Sequence, residues 1–494
     1  MFRYVLIVIG ALAALANARA SEFGERQREA LVTSGFASSE LLATIETTGW
    51  APVLISFEVP GVAPRLPEHA HREAAAQAAI ASSRRGIVEL LGADGFRLRH
   101  RYQSLNALAG SINAPGLLRL FAHRRSVAVE LEIGGKGQLA QAVPLVNLDD
   151  LQALPFTGAG ITVAFLDSGV DTDHPDLTDD LVNERCFCFD LGAGCCPDGS
   201  TNQSGPGSAE DDNGHGTNVT GIVTGAGTVA SVGGAPDASI VAVKVLDASN
   251  LFCCTSDLIA GLDYILNERP DVDLVNMSLA TNSTFSGDCD DASIATRLLT
   301  SRIDDLRASG VLTFAASGDE GSGTEMPAPA CISGVIAVGA VYDADVGSQT
   351  LAGCTDPTTE ADQVPCWSSS NSSTDLLAPG APTTSAGLGG GTSTLSGTSQ
   401  ASPIAAACAA ALLEADPSAT PDEIEALLEA SPTWVTDPKN GLMFPRIDCA
   451  ASLAWLVQPV PLLGPLGAAL LATLLLATAK RRRPGGSCLG PEQT

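Results

Sequence analysis

The chain has 494 residues, 45% of them hydrophobic and 17% charged, with a formal net charge of −29. That length and apolar content exclude a disordered or fibrous protein and leave room for more than one packed domain. The charge is uneven: residues 21–133 carry 12 Lys and Arg against 12 Asp and Glu, and residues 134–459 carry 9 against 43. So acidic a block repels phosphates and excludes nucleic acid as a partner. It reads as a solvated, aggregation-resistant surface, with a charge-selective substrate groove as the alternative.

The chain begins with the layout of a secretory signal. Arg3 gives a basic start, residues 4–16 are nearly all apolar, and Ala18-Arg19-Ala20 supplies small residues for cleavage, so 1–20 is read as a signal peptide. A retained anchor is the alternative. Next comes a unit with its own rhythm: a strand over 52–59 (PVLISFEV), an Ala-rich helix over 69–91, two strands within 96–112, a short helix over 114–123 and a strand over 127–133. That order predicts a small α+β domain over 21–133. Residues 134–137 (GGKG) read as a flexible linker.

From about Gly160 the pattern changes. Apolar runs at 161–166, 240–246, 274–277, 311–315 and 335–341 alternate with helical stretches at 257–267 and 292–309. Continuous apolar strands alternating with helices predict an α/β domain over 134–458, a doubly wound parallel sheet covered on both faces. Functional groups then gather beyond the carboxyl ends of the strands. Ser/Thr/Gly-rich stretches at 192–208 and 368–398 read as loops.

Twelve of the thirteen cysteines fall between Cys186 and Cys449, and Cys488 stands alone. Disulfides fit an exported chain, and a metal cluster at Cys186, Cys188, Cys195 and Cys196 is the rival. Cys354 and Cys366, twelve apart around a polar loop, are the first pair expected. At the far end, residues 462–479 are uncharged and apolar and are followed by Lys480-Arg481-Arg482-Arg483. Eighteen helical residues span about 27 Å, near the thickness of a bilayer core. The cations then stay cytoplasmic and the body of the chain lies outside. Residues 459–494 are accordingly read as a transmembrane segment, with a buried helix as the alternative.

Three segments carry chemistry: ITVAFLDSGVDTDHPDL (161–177), DDNGHGTNVTGIV (211–223) and SGTSQASP (396–403). Each tripeptide core (D-S-G, H-G-T, G-T-S) is common alone, but all three in this order are not. Together they resemble the Asp, His and Ser motifs of subtilisin-like serine peptidases, the subtilase or S8 family. The resemblance implies Asp167, His215 and Ser399 as a catalytic triad. Ser399 is the nucleophile, His215 the general base and then acid, and Asp167 the group that fixes the histidine's tautomer. Gly214 and Gly216 would keep side chains off the substrate. The backbone N–H of Ser399, at a helix N-terminus, would serve the oxyanion hole. NMSL (276–279) is similar to the family strand that pairs with substrate backbone, which implies Ser278, Leu279 and Ala280 as a strand-addition site. FAASGDEG (314–321) is similar to the wall of the specificity pocket, which implies Ala315, Ala316, Ser317 and Gly318 as substrate-binding residues. The unit at 21–133 resembles the family's ferredoxin-like inhibitory propeptide of the I9 type, cut by the enzyme itself near 133–142. An ordinary accessory domain is the alternative. The C-terminal layout resembles bacterial sorting segments of the IPTL or PEP type.

The resemblance implies an exported serine endopeptidase with protein substrates, its own propeptide and a membrane as partners, and no cofactor for the chemistry. Two departures matter. Asp319 stands where the family places its oxyanion-hole Asn. An ionised Asp319 repels the oxyanion, and losing one such donor costs on the order of 10²–10³ in rate. A protonated Asp319, its pKa raised by burial, donates instead. A weakened or silent peptide-binding protein of the same fold is therefore the second reading, although at least one proprotein convertase also carries Asp here. Asp176 in HPDL matches a family calcium ligand, but the loop 225–234 (GAGTVASVGG) lacks the usual Asn, leaving carbonyls to complete any structural calcium site.

Overall fold

Successive residues of the strand Thr162–Asp167 serve two different cores. Val163 and Phe165 enter one, Ala164 and Leu166 the other, and the whole strand is buried. Side chains alternate across a strand, so a strand covered on both faces reads as an unbroken apolar run. The same holds for Leu274–Met277, Leu312–Ala316 and Ile336–Tyr342.

The computed structural model describes residues 23–57, 74–102, 106–123, 127–132, 135–137, 145–147, 156–190 and 192–457. The expected signal peptide at 1–20 and the expected C-terminal segment at 459–494 lie outside these residues. No helix among the described residues is long and apolar enough to cross a membrane.

The larger unit is built on a ten-stranded sheet. In spatial order its strands are Asn202–Ser204, Leu181–Phe187, Ser239–Lys244, Thr162–Asp167, Leu274–Met277, Leu312–Ala316, Ile336–Tyr342, Leu376–Ala381, Met443–Arg446 and Thr433–Thr436. Neighbours are parallel except for the antiparallel strand at each edge. Helices Thr255–Glu268 and Ile294–Ala308 contribute to the core on one face, His215–Thr224 and Thr398–Ala415 to that on the other. This is the subtilisin-like doubly wound α/β fold.

The smaller unit, 23–132, runs strand–helix–strand–strand–helix–strand after two leading helices, Glu25–Thr33 and Ser39–Thr48. Its antiparallel sheet is ordered Phe96–His100, Ala107–Ile112, Ala51–Phe57, Val127–Leu131. That is a ferredoxin-like arrangement with a core of its own, which includes Leu41, Ile45, Val53, Ile55, Leu108 and Leu117. The sheet also reaches the larger unit, because Leu54, Tyr102, Ala107 and Ala109 join the core beneath helices Thr255–Glu268 and Ile294–Ala308.

Two expectations are corrected. Gly135–Gly137 is a strand rather than a linker. The Ser/Thr/Gly-rich stretch 368–398 holds the sheet strand Leu376–Ala381 and a hairpin, Thr383–Gly387 with Gly391–Leu395, and 192–208 holds the edge strand Asn202–Ser204. The expected disulfides are present: five join Cys186–Cys196, Cys188–Cys195, Cys253–Cys254, Cys289–Cys331 and Cys354–Cys366, while Cys408 and Cys449 are buried thiols. The pair expected from spacing, Cys354–Cys366, is among the five.

Candidate active site

Asp167 ends a buried strand and is itself 1% exposed. Its Oδ1 accepts the Ser168 amide at 2.7 Å and lies 2.6 Å from His215 Nδ1. His215, also 1% exposed, is the first residue of its helix. A carboxylate at this distance fixes Nδ1 as the protonated nitrogen and leaves Nε2 to accept a proton. Nε2 has no hydrogen-bond partner among the described residues.

The approach of the histidine helix to the aspartate strand needs glycine at 216. A Cβ there would lie 2.1 Å from the Gly169 carbonyl oxygen and 3.1 Å from Asp167 Cβ. Gly216 therefore makes room for the strand below it, and the expectation that it clears space for substrate is corrected.

A buried polar frame holds the two elements in place. Asp211 accepts five bonds: from Ser168 Oγ, the Asn213 and Gly214 amides, and the Thr217 amide and hydroxyl. Burial pushes the Asp211 carboxyl up, but the Gly214 and Thr217 bonds and the Asn213 amide outweigh it and hold its pKa below the ordinary value. Lys244, fully buried and in register with Asp167, donates to the Ser168 carbonyl and to Asp212, each at 2.6 Å. None of these frame residues was given a role from the sequence, because their partners are 32 to 76 positions away or lie in a loop with no regular period. Asp211 in the segment 211–223 and Lys244 in the apolar run 240–246 were the available signal.

Ser399 is the second residue of helix Thr398–Ala415, which packs against the histidine helix. Its hydroxyl donates to the Ser278 carbonyl at 3.1 Å, and its own carbonyl accepts Ser278 Oγ at 2.5 Å. Asn276 donates to Ser278 Oγ at 2.9 Å and accepts from Ser402 Oγ at 2.7 Å, which ties the NMSL strand to the serine helix. The geometry thus pairs Asp167 with His215 and Ser399 with Ser278, with no hydrogen bond between Ser399 and His215.

Ala315 and Ala316 end the strand beside Met277, and Ser317 Oγ donates to the Ser369 carbonyl at 2.7 Å. Gly318 turns the chain with φ +101°, and its amide donates to Thr398 Oγ1 at 3.0 Å. Asp319 follows, 4% exposed. Its Oδ1 accepts the Thr398 amide at 2.7 Å and the Thr398 hydroxyl at 3.0 Å. Asp319 is thereby fastened to the first residue of the serine helix, next to Ser399.

Leu279–Thr281 is one wall of a groove whose other wall is Leu251–Phe252. Gly135–Gly137 lies between them and is antiparallel to both: Leu279 faces Gly137, Ala280 and Leu251 face Lys136, and Thr281 and Phe252 face Gly135. This is strand addition at the residues expected to take substrate.

Asp176 behaves differently from a cation ligand. Its two oxygens accept the amides of Thr228, Val229 and Ala230 at 2.5 to 3.1 Å. Burial pushes its carboxyl up, and the three amides more than reverse that and hold its pKa low. N–H groups aimed at both oxygens take lone pairs that a calcium ion would need, so the residues present do not fit calcium at Asp176.

The subtilase family profile matches residues 158–444. Subtilisin E of Bacillus subtilis (strain 168) is 30% identical over 357 residues, covering 70% of this chain and 81% of that protein. The minor extracellular protease Epr of the same organism is 34% identical over 265 residues, covering 53% of this chain and 34% of that protein. A solved structure titled as proteases from Pseudoalteromonas arctica PAMC 21717 aligns with a TM-score of 0.49 at 24% identity, covering 64% of this chain and 95% of that one. The family profile spans more than half of the sequence, and the chain belongs to the subtilase family of subtilisin-like serine peptidases, which are hydrolases.

Proposed function

We propose that the chain is an exported endopeptidase that works through Asp167, His215 and Ser399 and first cuts its own N-terminal unit. The observation that carries this reading is the buried 2.6 Å contact of Asp167 with His215 beside a groove holding an antiparallel segment of the same chain. His215 Nε2 takes the Ser399 proton as Oγ attacks the scissile carbon, then gives it to the leaving amine. The acyl-enzyme is released by water through the same steps in reverse.

The reading of 21–133 as an inhibitory prodomain draws support from two carboxylates. Glu130 accepts the Ile294 amide at 2.6 Å and Glu132 the Ser256 amide at 3.2 Å, so each covers the free N–H groups at the start of one helix of the larger unit. A substrate pairing as Gly135–Gly137 does brings its next residue to Ser278, whose carbonyl holds the Ser399 hydroxyl. That pairing supports a cut at the Gln138–Leu139 bond. Export is supported by the five disulfides and by the leader-like start of the sequence. Membrane attachment through 459–494 rests on the sequence alone.

A labelled fluorophosphonate should modify Ser399, and mass spectrometry of the exported protein should find Leu139 as a new N-terminus that is lost in Ser399→Ala. A protein that stays uncut and takes no label at any pH would overturn the reading. Asp319 in the oxyanion position favours the second reading, a peptide-binding protein of the same fold, in that case.

A further inference from the structure

The groove wall Leu251–Phe252 is only two residues long, and so short an edge strand has little stability of its own. Its N-terminal end is set by a turn: Asp247 Oδ1 accepts the Ser249 and Leu251 amides at 2.8 and 2.9 Å, and the Leu251 carbonyl accepts the Asp247 amide at 2.8 Å. Its C-terminal end runs straight into Cys253 and Cys254, which are joined to each other. Cys254 is the N-cap residue of helix Thr255–Glu268 and has no side-chain capping bond. Cys254 is buried and Cys253 half-buried. Two residues thus turn the chain from groove wall into helix, and a ring closed through their sulfurs and the peptide between them restricts that corner far more than an open chain.

We propose that the Cys253–Cys254 disulfide is a positioning element for the acyl side of the substrate: it holds Leu251–Phe252 at the spacing that lets a third strand enter between it and Leu279–Thr281. This rests on the hydrolase reading only for its kinetic consequence. The groove occupancy by Gly135–Gly137 is a backbone fact that requires no turnover. The corner lies two residues before Ser256, whose amide meets Glu132, so it sits between the substrate strand and the N-terminal unit's hold on the helix. Reduction opens it: a phosphine takes an oxygen from water and becomes the phosphine oxide, while the Sγ–Sγ bond accepts two electrons and two protons to leave two thiols. The corner then gains freedom and the wall loses its fixed edge.

The test uses the full chain with Ser399→Ala, with and without Cys253→Ser and Cys254→Ser together, read by hydrogen exchange. The double change should remove protection at 135–137 and 251–252, while 279–281, still bonded through Thr281 to Ala328, keeps part of its own. Unchanged protection at 135–137 and 251–252 overturns the proposal, and this readout stands even if the protein hydrolyses nothing. In the processed enzyme, the double change should raise KM roughly tenfold for peptides long enough to reach Phe252, leaving kcat and the hydrolysis of a short ester unaltered. Equal losses on long and short substrates also overturn it. Should the variant fold poorly, mild phosphine treatment of the unaltered enzyme, with alkylation mapped by mass spectrometry, must show the same KM change tracking the labelling of Cys253 and Cys254 and reversing on reoxidation.

Discussion

On the proposed reading, Asp319 offers an acceptor where a developing oxyanion would need a donor. Its Oδ1 already takes two bonds from Thr398, so the side chain is held in place and cannot swing away when negative charge develops beside it. Asn at this position offers an N–H donor in place of an acceptor, so Asp319→Asn should raise kcat at neutral pH by about 10²-fold. An unchanged kcat in the variant would sink the idea. Asp211 gives a prediction of opposite sign. Its pKa is held below the ordinary value in the fold, so its stabilisation is present above the unfolded carboxyl pKa and is lost as pH falls through the lower folded one. Asp211→Asn should cost about 2–3 kcal/mol at pH 7 and narrow the gap between pH 7 and pH 3, as read by urea unfolding of the Ser399→Ala protein. Asp167, His215 and Ser399 could be named as candidates because each sits in a short contiguous motif. Lys244 donates to the Ser168 carbonyl and to Asp212, and the Ser168 hydroxyl to Asp211, across 32 to 76 positions of chain, so the charges show in the sequence but their partners do not.

At the scale of elements, legibility followed burial. Runs such as 335–341, apolar on every residue because both sheet faces are covered, match an observed strand, Ile336–Tyr342. Gly135–Lys136–Gly137 was missed because two glycines and a lysine have no strand propensity. Its conformation comes wholly from the two walls it pairs with. The hairpin 383–395 was missed for a related reason: its Ser, Thr and Gly residues read as loop, yet they pair here with the first strand largely buried. The loop 225–234 is the third such case. Without the expected Asn it looked like a weak calcium site, whereas its amides converge on Asp176 and replace a cation with three N–H donors. A chelator should therefore leave the melting temperature of the Ser399→Ala protein within a degree or so, and added calcium should not raise it. Asp176→Ala should instead destabilise by about 2–3 kcal/mol, since three buried or half-buried amides lose their acceptor. A large drop in melting temperature with chelator would show that a cation holds this loop after all.

At the scale of the whole molecule, the two units differ in what holds them. The unit at 23–132 has a four-stranded sheet, a small core and no cysteine. The larger unit has a ten-stranded sheet with a large core on each face and five disulfides, and its two thiols are deep within it. Cys408 lies in the serine helix and Cys449 begins the helix Cys449–Val457 packed on it. Burial pushes the Cys408 thiol well up, and its contact with the Cys449 thiol adds to the shift. A protonated, solvent-free thiol does not react with alkylating agents, so labelling at these positions needs the serine helix to come off the sheet. Trp50 lies against Arg97 in the smaller unit, which makes its fluorescence a reporter of that unit. Surface buried per residue grows with domain size, so the smaller unit should open first. In rising urea, the Ser399→Ala chain should lose its Trp50 signal while iodoacetamide still labels neither Cys408 nor Cys449, and both should label together at higher denaturant. Labelling that tracks the first transition would mean that the two units unfold as one, and that the N-terminal unit cannot leave the groove without loosening the helix that carries Ser399.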